Sequence, residues 1–197
     1  MRSICAAALL KSPMLEIRPL ALSGLLEIRP KKFADERGFF SETWSQARFA
    51  EEGVTTNFVQ DNHSLSRETG TLRGLHFQTS PSTQAKLVRV TRGSAFDVAV
   101  DLRFGSPTYR QWAAVTLSAA EWNQMLIPEG FAHGFLTLEP DTEVQYKTSA
   151  AYDSAADRAI RFDDPDVAID WPIAADQMIL SDRDRQAPFL AEIKTGF

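Results

Sequence analysis

Four side chains of this sequence have the chemistry needed for general acid–base catalysis. His76 can act as a general base if a carboxylate fixes its tautomer and stabilises the imidazolium, and Asp184 is a candidate for that carboxylate. Lys86, placed in the same cavity, would stabilise a developing oxyanion. Tyr146 lies on an alternating segment and could return a proton from across the pocket. Each of these residue types is also common in purely structural positions, so their roles depend on the elements that carry them.

Most of the chain shows the period-two pattern of short β-strands. Segments rich in β-branched and aromatic residues, separated by Gly, Pro and Asp turns, predict antiparallel strands that close as a sandwich or barrel. The predicted strands cover 73–78, 86–90, 94–102, 111–117, 123–127, 134–138 and 142–147. One short helix is predicted over 42–52, because Gly53 stands where a helix would end. The tail after Ile160 has no clear period, and we expect ordered loops with a short helix that wrap the barrel.

Segment 95–103 shows the clearest period-two pattern of these predicted strands. Its even positions are apolar, whereas its odd positions carry Asp97, Asp101 and two alanines. This pattern is typical of a strand with a core face and a solvated face. A second interpretation stays open, in which the alanines leave room between carboxylates that line a cavity.

A five-residue sequence, Leu-Glu-Ile-Arg-Pro, occurs twice, at 15–19 and 26–30. Proline stops a helix and biases the residue before it towards extended backbone. Both copies therefore predict edge strands or extended arms.

Two histidines stand at spacings that resemble the paired motifs of the cupin fold, a double-stranded β-helix. Gly70 precedes His76 as GxxxxxH, and Pro128 precedes His133 as PxGxxH. We therefore predict an all-β protein with a cupin-type jelly-roll barrel and a few short helices. Metal-binding cupins continue the first motif as HxH and carry a glutamate ligand further along the chain. Here Gln78 replaces the second histidine, and Lys86 lies in the segment where the glutamate would be expected. Two histidines beside a cation make a poor divalent-metal site, so we expect no metal.

Composition limits the class of protein further. The chain has 197 residues with 21 Lys and Arg against 26 Asp and Glu, a net charge of −5, which disfavours a general nucleic-acid binder. Cys5 is the only cysteine, which rules out a disulfide within the chain and fits a reducing compartment, the cytoplasm. No apolar run reaches the roughly 18 residues of a membrane span. We expect a disordered leader over 1–13 and a single domain over 14–197.

The chain closely resembles the dTDP-4-dehydrorhamnose 3,5-epimerases of bacterial nucleotide-sugar metabolism. The resemblance runs from about Met14 to the C-terminus through separate motifs in the family's order. These motifs are 35–40, 58–64, 72–78, 84–89, 96–103, 127–135 and 180–184. The series is very specific for the family and less specific for the substrate.

The resemblance implies a cofactor-free enzyme that converts dTDP-4-dehydro-6-deoxy-α-D-glucose into dTDP-4-dehydro-β-L-rhamnose. The C4 ketone acidifies the hydrogens on C3 and C5, so a base can remove each in turn, and protonation from the other face inverts the centre. By position in the family's motifs, His76 would be the base and Asp184 its partner. Lys86 would hold the O4 oxyanion, and Tyr146 would be the acid on the opposite face.

The family pattern also implies a set of substrate-binding residues: Arg37, Glu42, Gln60, Asn62, Arg73, His133, Asp157 and Arg183. Arg37 and Arg73 would make bidentate contacts to the pyrophosphate, which reconciles an acidic protein with an anionic substrate. Two positions depart from the family's usual residues, since Arg183 replaces a lysine and Asp157 replaces a glutamate. At position 157 we therefore expect a substrate contact that is lost or made through water.

Family members are typically homodimers that exchange an N-terminal arm, so Arg37 and Glu42 would serve the partner's site. The nearest rival hypothesis is an epimerase that acts at one carbon only, or on a related dTDP-4-keto sugar. More distant hypotheses are a sugar-nucleotide-binding cupin without turnover and a metal-dependent cupin oxygenase or isomerase. The presence of all the proton-transfer residues opposes the binding cupin, and Gln78 opposes the metal-dependent enzyme.

Overall fold

The computed structural model describes residues 14–197, so the expected leader over 1–13 lies outside the described residues. In chain order the strands are β1 (Leu15–Pro19), β2 (Leu26–Pro30), β3 (Phe33–Asp35), β4 (Gly38–Phe40), β5 (Gln60–Ser66), β6 (Leu72–Gln78), β7 (Lys86–Arg92), β8 (Ser94–Asp101), β9 (Trp112–Ser118), β10 (Gln124–Ile127), β11 (Phe131–Thr137), β12 (Thr142–Thr148) and β13 (Asp157–Ala159). The helices are α1 (Gln46–Glu51) and α2 (Asp182–Arg185), with 3₁₀ turns at Ala175–Gln177 and Leu190–Glu192. In this part of the chain, no helix is long and apolar enough to cross a membrane.

Two antiparallel sheets form the barrel. One has the strand order β1-β2-β10-β7-β12-β5, and the other has the order β13-β6-β11-β8-β9. Strands that are distant in sequence lie side by side in both sheets, as in a double Greek key. The predicted all-β, cupin-type jelly roll with a few short helices is therefore confirmed. Strands β3 and β4 form a separate hairpin outside both sheets.

Apolar side chains from both sheets meet inside the barrel. Val88 and Val144 come from the six-stranded sheet, and Ala99 and Leu117 come from the five-stranded sheet. Burial of this apolar area is the main favourable contribution to folding. Phe135 belongs to this core and also lines the cavity described below, so the core borders the site.

Strand β8 is buried on both faces, so the interpretation that gave it a solvated face is wrong. Its even face carries Val98 and Val100, which pack under the C-terminal tail against Ile160. Its odd face turns into the barrel, where Asp97 and Asp101 are 1% and 0% exposed. The tail covers the surface that a single sheet would leave to water, and this contact is not visible in the period of the strand.

The two Leu-Glu-Ile-Arg-Pro copies are both strands, as predicted, and they pair with each other. Leu15 aligns with Pro30 and Pro19 aligns with Leu26, so the second copy runs back along the first. Strand β1 lies at the sheet edge, where a proline without an N–H is tolerated. Strand β2 is flanked by β1 and β10 and is therefore not an edge strand.

Helix α1 is shorter than the predicted segment 42–52. Ser45 keeps extended backbone, with φ −149° and ψ 120°, and the helix therefore begins at Gln46. Gly53, at φ +85°, follows its end as predicted.

Strands β6 and β11 approach each other closely at a pair of glycines, and this approach sets the site. A Cβ atom added at Gly74 would overlap the Cα atom of Gly134, so neither position tolerates a side chain without movement. The β6–β11 register shifts between His133 and Phe135, next to this contact. As a result His76 and His133 stand directly opposite each other on neighbouring strands.

Candidate active site

A cavity of about 620 Å³ opens between the two sheets at the polar end of the barrel. Strands β6 and β11 form one wall, β7 and β12 form the opposite wall, and α2 closes one side. The predicted site residues that line it are Arg73, His76, Lys86, His133, Tyr146, Asp157, Arg183 and Asp184. The structure therefore brings together in one cavity residues that span more than a hundred positions of sequence.

His76 and Asp184 form the hydrogen-bonded pair that the sequence suggested. His76 Nε2 lies 2.6 Å from Asp184 Oδ1, and the Asp184 side chain is only 5% exposed. Burial alone would raise the pKa of Asp184, but the contacts and charges of His76, Ser181 and Arg183 together lower it. The ionised carboxylate accepts the Nε2 proton, which leaves Nδ1 of the neutral imidazole with the lone pair that a base needs.

Lys86 is a buried cation that joins the two walls of the cavity. It lies on β7, and its Nζ donates a hydrogen bond to the backbone oxygen of His76 at 3.2 Å. Burial lowers the pKa of Lys86 to about 8, although the carboxylates of Asp97 and Asp157 oppose this change. The amine is therefore mostly protonated at pH 7, and its charge is available to an oxyanion in a site with little water.

Asp97 extends the site below the lining of the cavity. Nε2 of the buried His133 lies 3.1 Å from both carboxylate oxygens of Asp97. Burial lowers the pKa of His133, and the attraction of Asp97 only partly offsets this effect. Asp97 therefore lies behind His133 and does not line the cavity, so the interpretation in which the carboxylates of β8 line a cavity is not confirmed for this residue. Asp101 instead accepts hydrogen bonds from its own loop, from Arg103, Ser106 and Thr108.

Tyr146 faces the dyad from the other sheet. It lies on β12, half-buried, whereas His76 lies on β6 of the five-stranded sheet. Burial raises the pKa of Tyr146, with the charge of Arg73 acting in the opposite direction. The phenol therefore keeps its proton at neutral pH and can donate it into the cavity.

At the rim, the two residues that depart from the family pattern contact each other. Arg183 Nη2 lies 2.8 Å from Asp157 Oδ2, and the hydroxyl of Tyr152 donates to the same oxygen at 3.1 Å. The ion pair links β13 to α2 at the entrance.

The other predicted binding residues are not among the side chains that line this cavity. Arg37 is 84% exposed in its side chain and pairs with Asp35 at 2.6 Å, at the tip of the β3–β4 hairpin. Glu42 pairs with Arg48 near α1. Gln60 donates to Asn62 on the edge strand β5, and its oxygen accepts from the N–H of Tyr152. Their role in binding stays a prediction.

Sequence reasoning missed several residues of the cavity. Gln84, Tyr152 and Ser181 line it, although none is among the predicted site residues. Gln78, which stands where a metal ligand would be, donates to the backbone oxygens of Ser82 and Ala151 and so ties two loops together. Ser181 had a usable signal, because a serine three positions before an acidic residue is typical of the start of a helix.

The two walls carry complementary groups, with the imidazole of His76 on one sheet and the phenol of Tyr146 and the ammonium of Lys86 on the other. Fold and site together define a cupin-type barrel enzyme for proton transfer at carbon. A profile of the dTDP-4-dehydrorhamnose 3,5-epimerase family matches residues 19–192, and the chain belongs to this family.

Individual relatives agree with this assignment over most of their length. The dTDP-4-dehydrorhamnose 3,5-epimerase of Sinorhizobium fredii is 47% identical over 178 residues, covering 90% of this chain and 91% of the relative. The RmlC crystal structure from Legionella pneumophila, in complex with dTDP-4-keto-L-rhamnose, is 45% identical with a TM-score of 0.87, covering 91% of this chain and 95% of that one. The structure of the Bacillus anthracis enzyme with TDP and pyrophosphate bound is 44% identical with a TM-score of 0.86, covering 89% and 99%.

Proposed function

We propose that this protein inverts C3 and C5 of dTDP-4-dehydro-6-deoxy-D-glucose to give dTDP-4-dehydro-L-rhamnose, the isomerisation of dTDP-L-rhamnose biosynthesis. The observation that carries the proposal is the placement of the His76–Asp184 pair and Tyr146 on opposite walls of one cavity. Inversion of a carbon centre needs a proton to leave from one face and another to arrive at the opposite face. A site with one proton-transfer group on each wall meets that need.

Proton removal uses the carbonyl of the substrate. The C4 ketone acidifies the hydrogens on the neighbouring carbons, and Nδ1 of His76 takes one of them while electrons move to O4. Asp184 stabilises the imidazolium that forms, and the ammonium of Lys86 stabilises the enolate oxygen. The step needs no oxidant and no reductant, and we propose that the enzyme uses no cofactor.

Proton return completes the inversion. Tyr146 donates its phenolic proton to the face of the enolate opposite His76, and solvent then restores both groups. The same cycle at the second carbon gives the L-rhamno product. A site that lacked the acid would exchange hydrogen with solvent and return the proton to the original face.

The nucleotide end of the substrate meets the cationic rim. Arg73 and Arg183 lie at the cavity wall, where planar guanidinium groups can bind pyrophosphate through paired hydrogen bonds. His133 lies deeper and would contact the sugar, while Asp157, Gln60 and Asn62 would complete the binding set. The Legionella pneumophila relative holds a dTDP-sugar, which supports this class of ligand. A single cysteine among 197 residues supports a cytoplasmic location.

Arg37 and Glu42 would act in the second subunit of a homodimer. The β3–β4 hairpin lies outside both sheets, and Phe33, Phe39 and Phe40 are exposed by 43%, 53% and 69%, although the ring of Phe39 also contacts Trp122. Exposed apolar side chains grouped on a hairpin are typical of a surface covered by a partner. We infer that this N-terminal arm crosses to a second copy and carries Arg37 to the pyrophosphate there.

Proton NMR in D₂O tests the function. Purified, metal-stripped enzyme is incubated with dTDP-4-dehydro-6-deoxyglucose, and deuterium at C3 and C5 is followed together with the configuration of the product. We expect deuterium at both carbons and the L-rhamno product. Deuterium at one carbon would establish a single-carbon epimerase instead. No incorporation would overturn the proposed substrate and favour a different sugar or a binding protein.

A further inference from the structure

The hydroxyl group of Ser181 contacts Asp184 twice. Its oxygen accepts a hydrogen bond from the backbone N–H of Asp184 at 3.1 Å and thereby caps helix α2. The same hydroxyl donates its proton to Oδ2 of the Asp184 side chain at 2.8 Å. Because the N–H occupies a lone pair of the serine oxygen, the hydroxyl hydrogen is free to point at the carboxylate. One short side chain thus holds both the backbone and the carboxylate of Asp184.

The two oxygens of the Asp184 carboxylate therefore have separate partners. Oδ1 faces His76, and Oδ2 faces Ser181. Arg183 is adjacent, but its guanidinium is paired with Asp157 at the rim. Among residues 14–197, the side-chain hydrogen bond to Oδ2 comes from Ser181 alone. The Asp184 side chain is only 5% exposed, so its carboxylate depends on fixed protein donors of this kind.

We propose that Ser181 is a positioning residue, which holds the Asp184 carboxylate in the orientation that hydrogen-bonds to the imidazole of His76. Without the hydroxyl, the carboxylate can turn about its Cβ–Cγ bond, and Oδ1 leaves the line of the imidazole N–H. Ser181 does not touch the reacting carbon, and it acts only through Asp184. The inference deepens the proposed function, because it assumes that His76 is the base.

The first pair of variants removes and restores the hydroxyl. Ser181→Ala removes both hydrogen bonds, and Ser181→Thr keeps the hydroxyl on a residue whose exposed position has room for one more methyl group. Ser118→Ala is the matched control, since the hydroxyl of Ser118 caps a backbone N–H at 3.0 Å in a turn outside the cavity. We expect Ser181→Ala to lower kcat about tenfold with KM within twofold, and the Thr variant and the control to stay near wild type.

A second pair separates capping from hydrogen-bond donation, in case the alanine variant does not fold. Ser181→Gly is tolerated at the N-cap position of a helix but has no group that can donate to the Asp184 carboxylate. Ser181→Asn keeps a capping oxygen and adds an amide that can donate. We expect the Asn variant to retain more kcat than the Gly variant. Equal kcat in the two variants would show that donation to Asp184 does not matter and would overturn the proposal.

An NMR signature tests the positioning without turnover. The proton between His76 Nε2 and Asp184, in a hydrogen bond of 2.6 Å, should resonate far downfield in the full-length protein. We expect the signal to broaden or move upfield in Ser181→Ala and to persist in Ser181→Thr. An unchanged signal with unchanged kcat, or a loss of kcat with the signal unchanged, would overturn the role of Ser181. Absence of epimerisation by the wild type would instead overturn the proposed function, and the resonance would still report on Ser181.

Discussion

The cavity and the β3–β4 hairpin carry predicted site residues in opposite surroundings. In the cavity, Lys86 and Asp184 are 7% and 3% exposed, and each contacts other site residues. On the hairpin, the side chain of Arg37 is 84% exposed and pairs with Asp35 of its own turn. Within one chain, the cavity brings together the four proposed proton-transfer residues, whereas Arg37 on the hairpin does not line it. We propose that the chemistry takes place within one chain and that part of the binding is shared between subunits.

This difference predicts different kinds of defect. Loss of a buried group should stop chemistry, because its charge is worth most where water is excluded. Loss of a hairpin group should weaken substrate binding and should depend on which subunit carries the change.

The largest effect is expected for His76→Asn. The amide cannot accept the proton from carbon, so kcat should fall by roughly 10³-fold or more, in the upper range of general-base effects. His63→Asn is the matched control, since His63 pairs with Glu143 on the outer, exposed side of β5 and should leave kcat unchanged. Thermal melts should show both variants folded. Near-normal turnover by His76→Asn would refute the assignment of the base.

Lys86→Ala should have the next largest effect. Kinetics should show kcat lowered about 10²- to 10³-fold with a small change in KM, because the enolate charge develops mainly in the transition state. Lys147→Ala removes a lysine that pairs with Asp61 on the same sheet but outside the cavity, and it should behave as wild type. A change confined to KM would contradict an oxyanion role for Lys86.

Tyr146→Phe separates exchange from inversion. Deuterium should still enter the substrate in D₂O, because the His76–Asp184 pair is intact, while formation of inverted product falls about 10²-fold. Tyr109→Phe, in a loop that does not line the cavity, serves as the control. If exchange and inversion fell together, the acid and the base would not be separate groups.

The pH dependence should reveal the buried cation. With a pKa of about 8, the Lys86 ammonium is present below that pH and is lost above it, so kcat/KM should fall as the pH rises through about 8. Asp97 raises the pKa of Lys86 through its charge, so Asp97→Asn should move this limb to lower pH. The profile is measured between pH 6 and 10, a range chosen to bracket that pKa. A limb that stays in place in Asp97→Asn would assign it to another group.

The sequence predicts the central strands well and the peripheral ones poorly. Strands β7 to β12 are buried, and their sequences therefore show regular patterns of apolar and β-branched residues. Their predicted bounds lie within a few residues of those observed. Strand β5 reads Gln-Asp-Asn-His-Ser-Leu-Ser, which has little strand propensity, and it is held in the sheet by its full pairing with β12. Strand β13 has only three residues and is likewise held in its sheet by pairing with β6. Long-range pairing decides these segments, and a local pattern cannot show it.

The sequence likewise predicts some features of the candidate site and not others. The pairing of His76 with Asp184 is suggested by residue type and confirmed by geometry, although 108 positions separate the two residues. The burial of Asp97 is only one of two interpretations of its strand, because the strand pattern does not show that the C-terminal tail covers the other face. The sequence does not predict the contact between Asp157 and Arg183. The two residues are far apart in the chain, and no local pattern links them.

The smallest effect is expected for Arg37→Ala, and it tests the hairpin side of the comparison. Loss of one pyrophosphate contact at a partly exposed site should raise KM about tenfold with little change in kcat. Arg161→Ala, which removes an exposed arginine paired with its neighbour Asp163, is the control.

Heterodimers of an Arg37→Ala chain and a His76→Asn chain, purified with two different tags, then decide which subunit Arg37 serves. If the arm crosses, one of the two sites combines a normal His76 with the arm of the other chain, and about half of the wild-type activity returns at low substrate. If Arg37 serves its own chain, neither site is complete, and low-substrate activity is about half that of the Arg37→Ala homodimer because only one site keeps His76. A protein that remains monomeric at assay concentration would remove the crossing arm from the proposal and leave the cavity chemistry intact.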